Sequence, residues 1–220
     1  MAKKQIKWFT GLKHTKNLSK ALPTWKSFFK KVGEKMKPIL RNFPEEFYSE
    51  RLLVRKPMPG DGKAVFEAIQ ASLDELKPWM PWVHKNQTLE DVEANMRDAH
   101  AKFITREDLR LHIFNKTTGE FVASSGLHRI NWDVPKFEIG YWIDTRYSGK
   151  GYVTEAVDAI TNFAFTALGA RRVEIRCDSK NTKSRAVAER LGYQLEGILK
   201  YDGISVDNEL RDTCIYAKVK

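Results

Sequence analysis

The spacing of hydrophobic positions changes near residue 50. Before that point, apolar residues recur at alternating steps of four and three, with lysines between them: Leu18, Leu22, Trp25, Phe29, Val32 and Met36. This spacing puts the apolar side chains on one face of a helix. It predicts a basic amphipathic helix from about Pro23, which suits a first turn, to Lys37, just before Pro38.

From residue 51 onward, short alternating segments are interleaved with longer helical ones. Strands are predicted at 51–55, 111–115, 121–130, 137–143, 172–177, 193–199 and 210–218. Helices are predicted at 61–71, 89–101, 151–168 and 183–191, the last two ending at Gly169 and Gly192. This order predicts an α+β fold with a central mixed sheet flanked by helices.

Composition limits the architecture to one well-buried domain. The chain has 220 residues, of which 42% are hydrophobic. No apolar run approaches the roughly 20 residues of a membrane span, and the N-terminus lacks the apolar block of a signal peptide, so we expect a cytoplasmic protein. Cys177 and Cys214 lack metal-ligand spacing and are interpreted as small buried hydrophobes.

Positive charge is concentrated at the N-terminus. Residues 1–43 carry eleven lysines and one arginine against one glutamate, a net charge of +11, which leaves −1 for the rest. We therefore divide the chain into a basic extension, 1–43, and a globular domain, 44–220. The predicted helix has three interpretations: it packs on the domain, lies on an anionic membrane, or docks on an RNA or protein surface. Transit peptides favour arginine and serine, whereas lysine dominates here.

The strongest chemical signal is the run from Glu138 to Ala156, which predicts a strand, a basic turn with two glycines and a helix start. Gly149 and Gly151 permit positive φ, so successive N–H groups can converge on phosphate oxygens at a helix N-terminus. A Rossmann G-x-G-x-x-G motif would need glycine where Thr154 stands, and no Walker Gly-Lys-Ser/Thr motif occurs. The run predicts a different phosphate loop.

The pattern Arg-x-x-Gly-x-Gly, from Arg146 to Gly151, resembles the pyrophosphate loop of the GNAT acetyltransferases. With GLHRI at 126–130, EIGYWID before the loop and NTKSRAVAERLGYQLEG after it, residues 50–218 resemble the RimJ/RimL branch, the ribosomal-protein N-terminal acetyltransferases. The resemblance implies a GNAT fold: a mostly antiparallel, twisted sheet with a splayed strand pair at an acetyl-CoA site. It implies that these residues bind the cosubstrate: Trp142, Ile143, Arg146, Tyr147, Ser148, Gly149, Lys150, Gly151, Tyr152 and Asn181.

The resemblance also implies direct transfer of acetyl to an amine, and no cysteine or serine nucleophile with a partner histidine is evident. The oxyanion donor would be the main-chain N–H near Trp142 or Ile143. Glu138 is the candidate base, although it could equally be a surface or ion-paired residue. A water relay ending at Glu138, His128 or Asp202 would also serve an α-amine, whose pKa is near 7.7–8.0.

The leaving thiolate needs a donor, and Ala188 stands where many GNAT members place a tyrosine. In the RimJ/RimL type a serine takes this role, and Asn181-Thr-Lys-Ser184 matches the pattern. The resemblance implies that Asn181 binds the pantetheine arm and that Ser184 lies near the sulfur. The same two residues could simply cap a helix.

The acceptor remains open between three hypotheses. The first is the N-terminus of a protein, such as a ribosomal protein, with the basic extension binding an anionic ribosomal or membrane surface. The second is a small amine (a polyamine, an amino acid derivative or an aminoglycoside), which acidic residues on the acceptor side would favour: Glu45, Glu46, Asp74 and Glu75. The third is an acyl-CoA sensor without catalysis. Trp79 and Trp82 could wall a peptide groove or pack a core, and both monomer and homodimer are compatible with the sequence.

Overall fold

The computed structural model describes residues 36–84 and 86–220. The predicted amphipathic helix therefore lies, apart from its last two positions, outside the described residues. Residues 37–220 form one compact unit. Within the described ranges, every helix is too short or too polar to cross a bilayer.

The described chain contains one sheet and five α-helices. The strands are β1 (Glu46–Tyr48), β2 (Leu52–Arg55), β3 (Leu109–Asn115), β4 (Phe121–Asn131), β5 (Lys136–Ile143), β6 (Arg172–Asp178), β7 (Gln194–Ile204) and β8 (Leu210–Val219). The helices are α1 (Gly62–Ala71), α2 (Leu73–Leu76), α3 (Leu89–Thr105), α4 (Tyr152–Thr166) and α5 (Thr182–Arg190). Single 3-10 turns lie at Pro38–Leu40, Pro81–His84 and Thr145–Tyr147.

The sheet is mixed and mostly antiparallel. Its strand order is β1-β2-β3-β4-β5-β6-β8-β7, and only the β5–β6 pair is parallel among the strands described. This confirms the α+β class and the mixed sheet predicted from the sequence.

The parallel pair separates part of the way along. Its pairing runs from Lys136 with Arg172 to Ile139 with Ile175 and then stops, although β5 continues to Ile143 and β6 to Asp178. The diverging strands leave main-chain groups of β5 without a strand partner on that side, where they can bind a ligand. This is the splayed strand pair that the resemblance implied.

Hydrophobic clusters cover both faces of the sheet. One contains Val157 and Ile160 of α4 with Phe137 of β5, and the other joins α1 and α3 around Phe114 and Phe121. Successive strand residues point to opposite faces. β5 therefore contacts both clusters, through Phe137 on one face and Trp142 on the other.

Several boundaries differ from the sequence prediction. α3 continues to Thr105 rather than 101 and ends where Arg106 adopts a left-handed φ of 65°, while Thr88 and Asp91 form a capping box at its start. β7 continues to Ile204 rather than 199, through a register shift that includes Tyr201 at φ 53°. The short elements β1 and α2 were not predicted, because three or four residues carry too little periodicity.

Candidate active site

A cavity of about 1550 Å³ opens at the gap between β5 and β6. Its walls come from both strands, from the loop before α4, from the starts of α4 and α5, and from residues 78–80. Common small-molecule pockets measure roughly 300–1,000 Å³. This cavity therefore has room for a cosubstrate and an acceptor together.

The loop between β5 and α4 has the backbone of an anion cradle. The buried carboxylate of Asp144 accepts a hydrogen bond from the N–H of Arg146 and fixes the 3-10 turn. Gly149 and Gly151 have φ values of 76° and 80°, and a Cβ built on Gly149 meets no atom within 4 Å. Because α4 begins immediately afterwards, the loop N–H groups and the helix N-terminus can act on one anion.

The predicted cationic side chains of this loop contact other loop residues. Arg146 Nε lies 2.9 Å from Oδ2 of Asp144. Lys150 Nζ donates to the Arg146 carbonyl at 3.1 Å, and the same nitrogen lies 5.3 Å from the centroid of the Tyr147 ring. The side chains of Arg146, Tyr147 and Lys150 are not part of the cavity wall. Four loop residues do line the cavity, Thr145, Ser148, Gly149 and Gly151, together with Tyr152, the first residue of α4.

The main-chain register of β5 distinguishes the two predicted oxyanion donors. The Asp144 N–H donates to the Val122 carbonyl at 3.0 Å, and the pairing of β5 with β4 continues from there in regular register as far as Glu138. Alternation along an antiparallel ladder turns the N–H of Trp142 toward β4 and the N–H of Ile143 toward the gap. Trp142 lines the cavity, and the centroid of its ring lies 6.1 Å from that of Trp82.

Asn181 and Ser184 lie together at the start of α5 and line the cavity. Asn181 is the N-cap, and its Oδ1 accepts the Ser184 N–H at 3.0 Å. The capping role and the cavity position, which the sequence posed as alternatives, occur in the same residues. Asn181 Nδ2 has no hydrogen-bond partner in the described part of the chain.

Tyr141 on β5 is a cavity residue that the sequence analysis missed. Its hydroxyl lies 3.0 Å from both the carbonyl oxygen and Oγ of Ser184. Burial raises the pKa of Tyr141 well above its usual range, so the phenol stays protonated. Ala188, where a tyrosine acid would stand, is fully buried, and the Tyr193 hydroxyl contacts Thr161 in the core at 2.6 Å.

Glu138 and His128 are cross-strand neighbours with different surroundings. Glu138 lines the cavity, and burial raises its pKa, while the guanidinium groups of Arg129, 3.5 Å away, and Arg176 act in the opposite direction. His128 is not part of the cavity wall, because its Nδ1 lies 2.6 Å from Oδ2 of Asp108 and its ring packs beside Gly140. The structure thus brings Glu138, but not His128, to the cavity.

The cavity wall also contains polar and aromatic residues from outside the loop. Asp202 lies in the irregular part of β7 and pairs with Arg176 at 2.9 Å, and both line the cavity. Trp79 and Met80 line it as well, whereas Trp82 is part of the hydrophobic packing around Phe121. Trp79 therefore forms part of the cavity wall, whereas Trp82 is a packing residue.

Cys177 also lines the cavity, although only 9% of the residue is exposed. Burial raises its pKa to about 11, so it is a neutral thiol near neutral pH. Among the described residues, no group of three or more histidine, cysteine, aspartate or glutamate side chains could hold a metal ion.

Comparisons with known proteins agree with this geometry. Bacillus subtilis YdaF is 28% identical over 173 residues, which cover 78% of this chain and 93% of YdaF. The Escherichia coli ribosomal-protein-serine acetyltransferase is 34% identical over 82 residues, covering 37% of this chain and 45% of that protein.

Among solved structures, the L7/L12 α-N-protein acetyltransferase RimL in complex with CoA superposes with a TM-score of 0.72. It is 21% identical, and the match covers 80% of this chain and 97% of RimL. The acetyltransferase MccE in complex with acetyl-CoA and AMP also gives 0.72, at 24% identity over 78% of this chain and 94% of MccE.

The sequence profile described as "Acetyltransferase (GNAT) domain" matches residues 51–194, which run from the start of β2 through the cradle to the start of β7. The cradle, the splayed strands and this match agree on the cosubstrate, acetyl-CoA. The chain belongs to the GNAT family of N-acetyltransferases.

Proposed function

We propose that this protein acetylates the N-terminal α-amine of a polypeptide, with a ribosomal protein as the favoured acceptor. The observation that carries the proposal is the environment of Glu138, a partly buried carboxylate in the cavity wall: burial raises its pKa, and the guanidinium groups of Arg129 and Arg176 act in the opposite direction. Such a base suits an α-amine of pKa about 7.7–8.0 better than a lysine amine near 10.4.

The names of the relatives support a polypeptide acceptor. RimL is named for acetylating L7/L12, and the Escherichia coli relative is named for a ribosomal protein. In this chain, Trp79 and Met80 form an apolar wall on the acceptor side of the cavity. A wall of this kind suits the first side chains of a peptide.

Acetyl-CoA supplies the activated acetyl group as a thioester. In the proposed reaction, the Ile143 N–H donates to the carbonyl oxygen as negative charge develops there, a contribution of about 3 kcal/mol for one such donor. Glu138 accepts the proton of the acceptor ammonium, directly or through water. Ser184 donates to the departing sulfur, with Tyr141 behind it.

The four acidic residues that would favour a small-amine acceptor give that alternative little support. Of those four, Glu75 alone is part of the cavity wall, where it accepts a hydrogen bond from Thr145 at 3.0 Å. Glu45 pairs with Lys56, the residue that follows β2, and neither lines the cavity. The four carboxylates therefore do not converge on one cation.

The basic extension has a proposed role in acceptor association. With a net charge of +11, residues 1–43 would attract a ribosomal surface in the cytoplasm, where ribosomal proteins are assembled. We expect this attraction to weaken as salt is raised, and a pulldown of ribosomes at increasing ionic strength measures it.

The deciding experiment measures CoA release with N-terminal peptides, ribosomal proteins, polyamines and aminoglycosides. We expect turnover with free peptide N-termini and none with the same peptides N-acetylated but carrying an internal lysine. Glu138→Gln is expected to lower kcat/KM at pH 7, with a smaller loss at pH 9, where the α-amine is already neutral. Turnover confined to small amines would refute the proposal.

A further inference from the structure

We propose that Arg51 is the side-chain cation that binds the pyrophosphate of CoA, a role for which the sequence pointed to Arg146 and Lys150. Arg51 immediately precedes β2 and stands 99 residues before Lys150. It lines the cavity, and 43% of its side chain is exposed. The inference rests on acetyl-CoA as cosubstrate and is independent of the acceptor.

Several contacts hold the guanidinium of Arg51 against the cradle. Nη1 donates to the Lys150 carbonyl at 3.1 Å, and Cζ lies 4.4 Å from the centroid of the Tyr152 ring. Nη2 would lie 3.5 Å from a Cβ on Gly151. The group therefore spans the loop from its last lysine to the first residue of α4.

Glu155 explains why a cation is needed at this place. Its carboxylate, in the first turn of α4, accepts the Ser49 hydroxyl at 2.6 Å, the Arg51 main-chain N–H at 2.8 Å and Arg51 Nε at 2.6 Å. A carboxylate in the first turn competes with a phosphate for the positive helix end. Arg51 neutralises this carboxylate through Nε.

The second terminal nitrogen of Arg51 remains for the phosphate. Nη2 has no hydrogen bond to any residue that the structure describes, and it faces the glycine that precedes α4. A guanidinium can bind a carboxylate along one edge and a phosphate along another, because its donors are fixed in one plane. Arg51 is thus placed to bridge Glu155 and the pyrophosphate.

The test compares two substitutions that should act in opposite directions. Calorimetry on the full-length protein measures affinity for CoA and for dephospho-CoA, which lacks the 3′-phosphate, and competition measures affinity for pantetheine, which lacks all phosphates. Arg51→Gln is expected to weaken both nucleotides about ten- to hundredfold and to leave pantetheine unchanged. Glu155→Gln, which removes the competing charge, is expected to bind CoA at least as tightly as the unmodified protein.

Two further variants control for structural damage. Arg97→Gln removes another surface arginine, whose partner is Glu93 on the same helix, and should leave all three affinities unchanged. Arg51→Lys keeps the charge and should recover part of the affinity that Arg51→Gln loses, even if the glutamine variant folds poorly.

Four results would overturn the assignment. Unchanged CoA affinity in Arg51→Gln would remove Arg51 from the site, and a loss confined to CoA would place it at the 3′-phosphate. Equal weakening by Arg51→Gln and Glu155→Gln, or weakening of pantetheine, would make Arg51 a brace for the loop. Since none of these measurements uses an acceptor, they stand whichever amine is acetylated.

Discussion

The hydroxyl of Tyr141 has one hydrogen and two acceptors at 3.0 Å, the carbonyl and the Oγ of Ser184. When the phenol donates to the carbonyl, the serine hydroxyl can donate to the phenol oxygen. When the phenol donates to Oγ, the serine hydrogen is free to point into the cavity. Because its pKa is raised, Tyr141 keeps its proton and can favour the second arrangement as negative charge develops on the sulfur.

Tyr141→Phe is therefore expected to lower kcat about three- to tenfold, the value of one neutral hydrogen bond, with little change in CoA affinity. Ser184→Ala should lower turnover further, without an equal loss of cofactor affinity. Steady-state kinetics and calorimetry measure both effects.

A double-mutant comparison tests whether the two hydroxyls act in series. If Tyr141 acts through Ser184, adding Tyr141→Phe to Ser184→Ala costs nothing more. Tyr48→Phe is the matched control, since this exposed phenol bonds only to Glu46 at 3.1 Å among the described residues. Losses that add up in the double variant would contradict the relay.

At the scale of elements, the loop between β5 and α4 owes its shape to two glycines. The role of Gly149 can be tested by comparison with Gly119, a glycine of similar conformation outside the site. Gly149 and Gly119 have φ of 76° and 72°, and a Cβ on either meets no atom within 4 Å. Alanine at each should cost about 1–2 kcal/mol of unfolding free energy, because both positions are left-handed. Only Gly149→Ala should also weaken CoA binding, since its methyl group enters the cradle.

Chemical denaturation and calorimetry on the same two variants make this comparison. Gly119 lies in the turn between β3 and β4 and is not part of the cavity wall. Equal CoA affinity in the two variants would show that the space above Gly149 is not used by the cosubstrate.

Elements with a local signal were predictable from the sequence. The strand, loop and helix around Gly149 could be recognised because positive-φ residues, a basic turn and helical spacing follow one another within a few residues. The role of Tyr141 could not, although it stands in that same strand, because its importance depends on Ser184, 43 residues away. The pairing of Arg146 with Asp144 was also missed, although the two residues are only two positions apart, because the loop pattern by itself suggests a phosphate as the partner of the arginine.

At the scale of the whole molecule, stability has a pH dependence that originates in His112. Its ring is fully buried, and burial lowers its pKa, although Asp61, 2.8 Å from Nδ1, acts in the opposite direction. Nε2 has no partner within the described chain, as suits a neutral ring. An unfolded histidine has a pKa of about 6.5. Near and below that pH, the unfolded chain therefore binds a proton at His112 that the folded protein does not bind.

The free energy of unfolding should therefore fall as pH drops below about 6.5, by at most about 1.4 kcal/mol per pH unit from this group. Urea unfolding between pH 7.5 and 5 measures the slope, and His112→Gln should reduce it. An identical slope in the variant would assign the dependence to other groups.

The contact between Arg51 and Glu155 depends on the tertiary arrangement of the sheet and could not be predicted from the sequence. Strand β2 is third from β5 in the sheet order, yet Arg51, the residue before β2, contacts Glu155 of α4, 104 residues later. Such a contact follows from the crossing of helix and sheet, for which spacing along the chain carries no signal. The mixed sheet itself was predicted, because alternating strand and helix segments allow few other arrangements.

The cradle consists largely of main-chain N–H groups, and this has a consequence for inhibition. A compound that bound only those groups and the N–H of Ile143 would contact atoms that every substitution except proline retains. Resistance by exchange of a contacting side chain would then be rare. The same property would let the compound bind other members of the family, so selectivity would have to come from other parts of the cavity wall, such as Trp79 and Arg176.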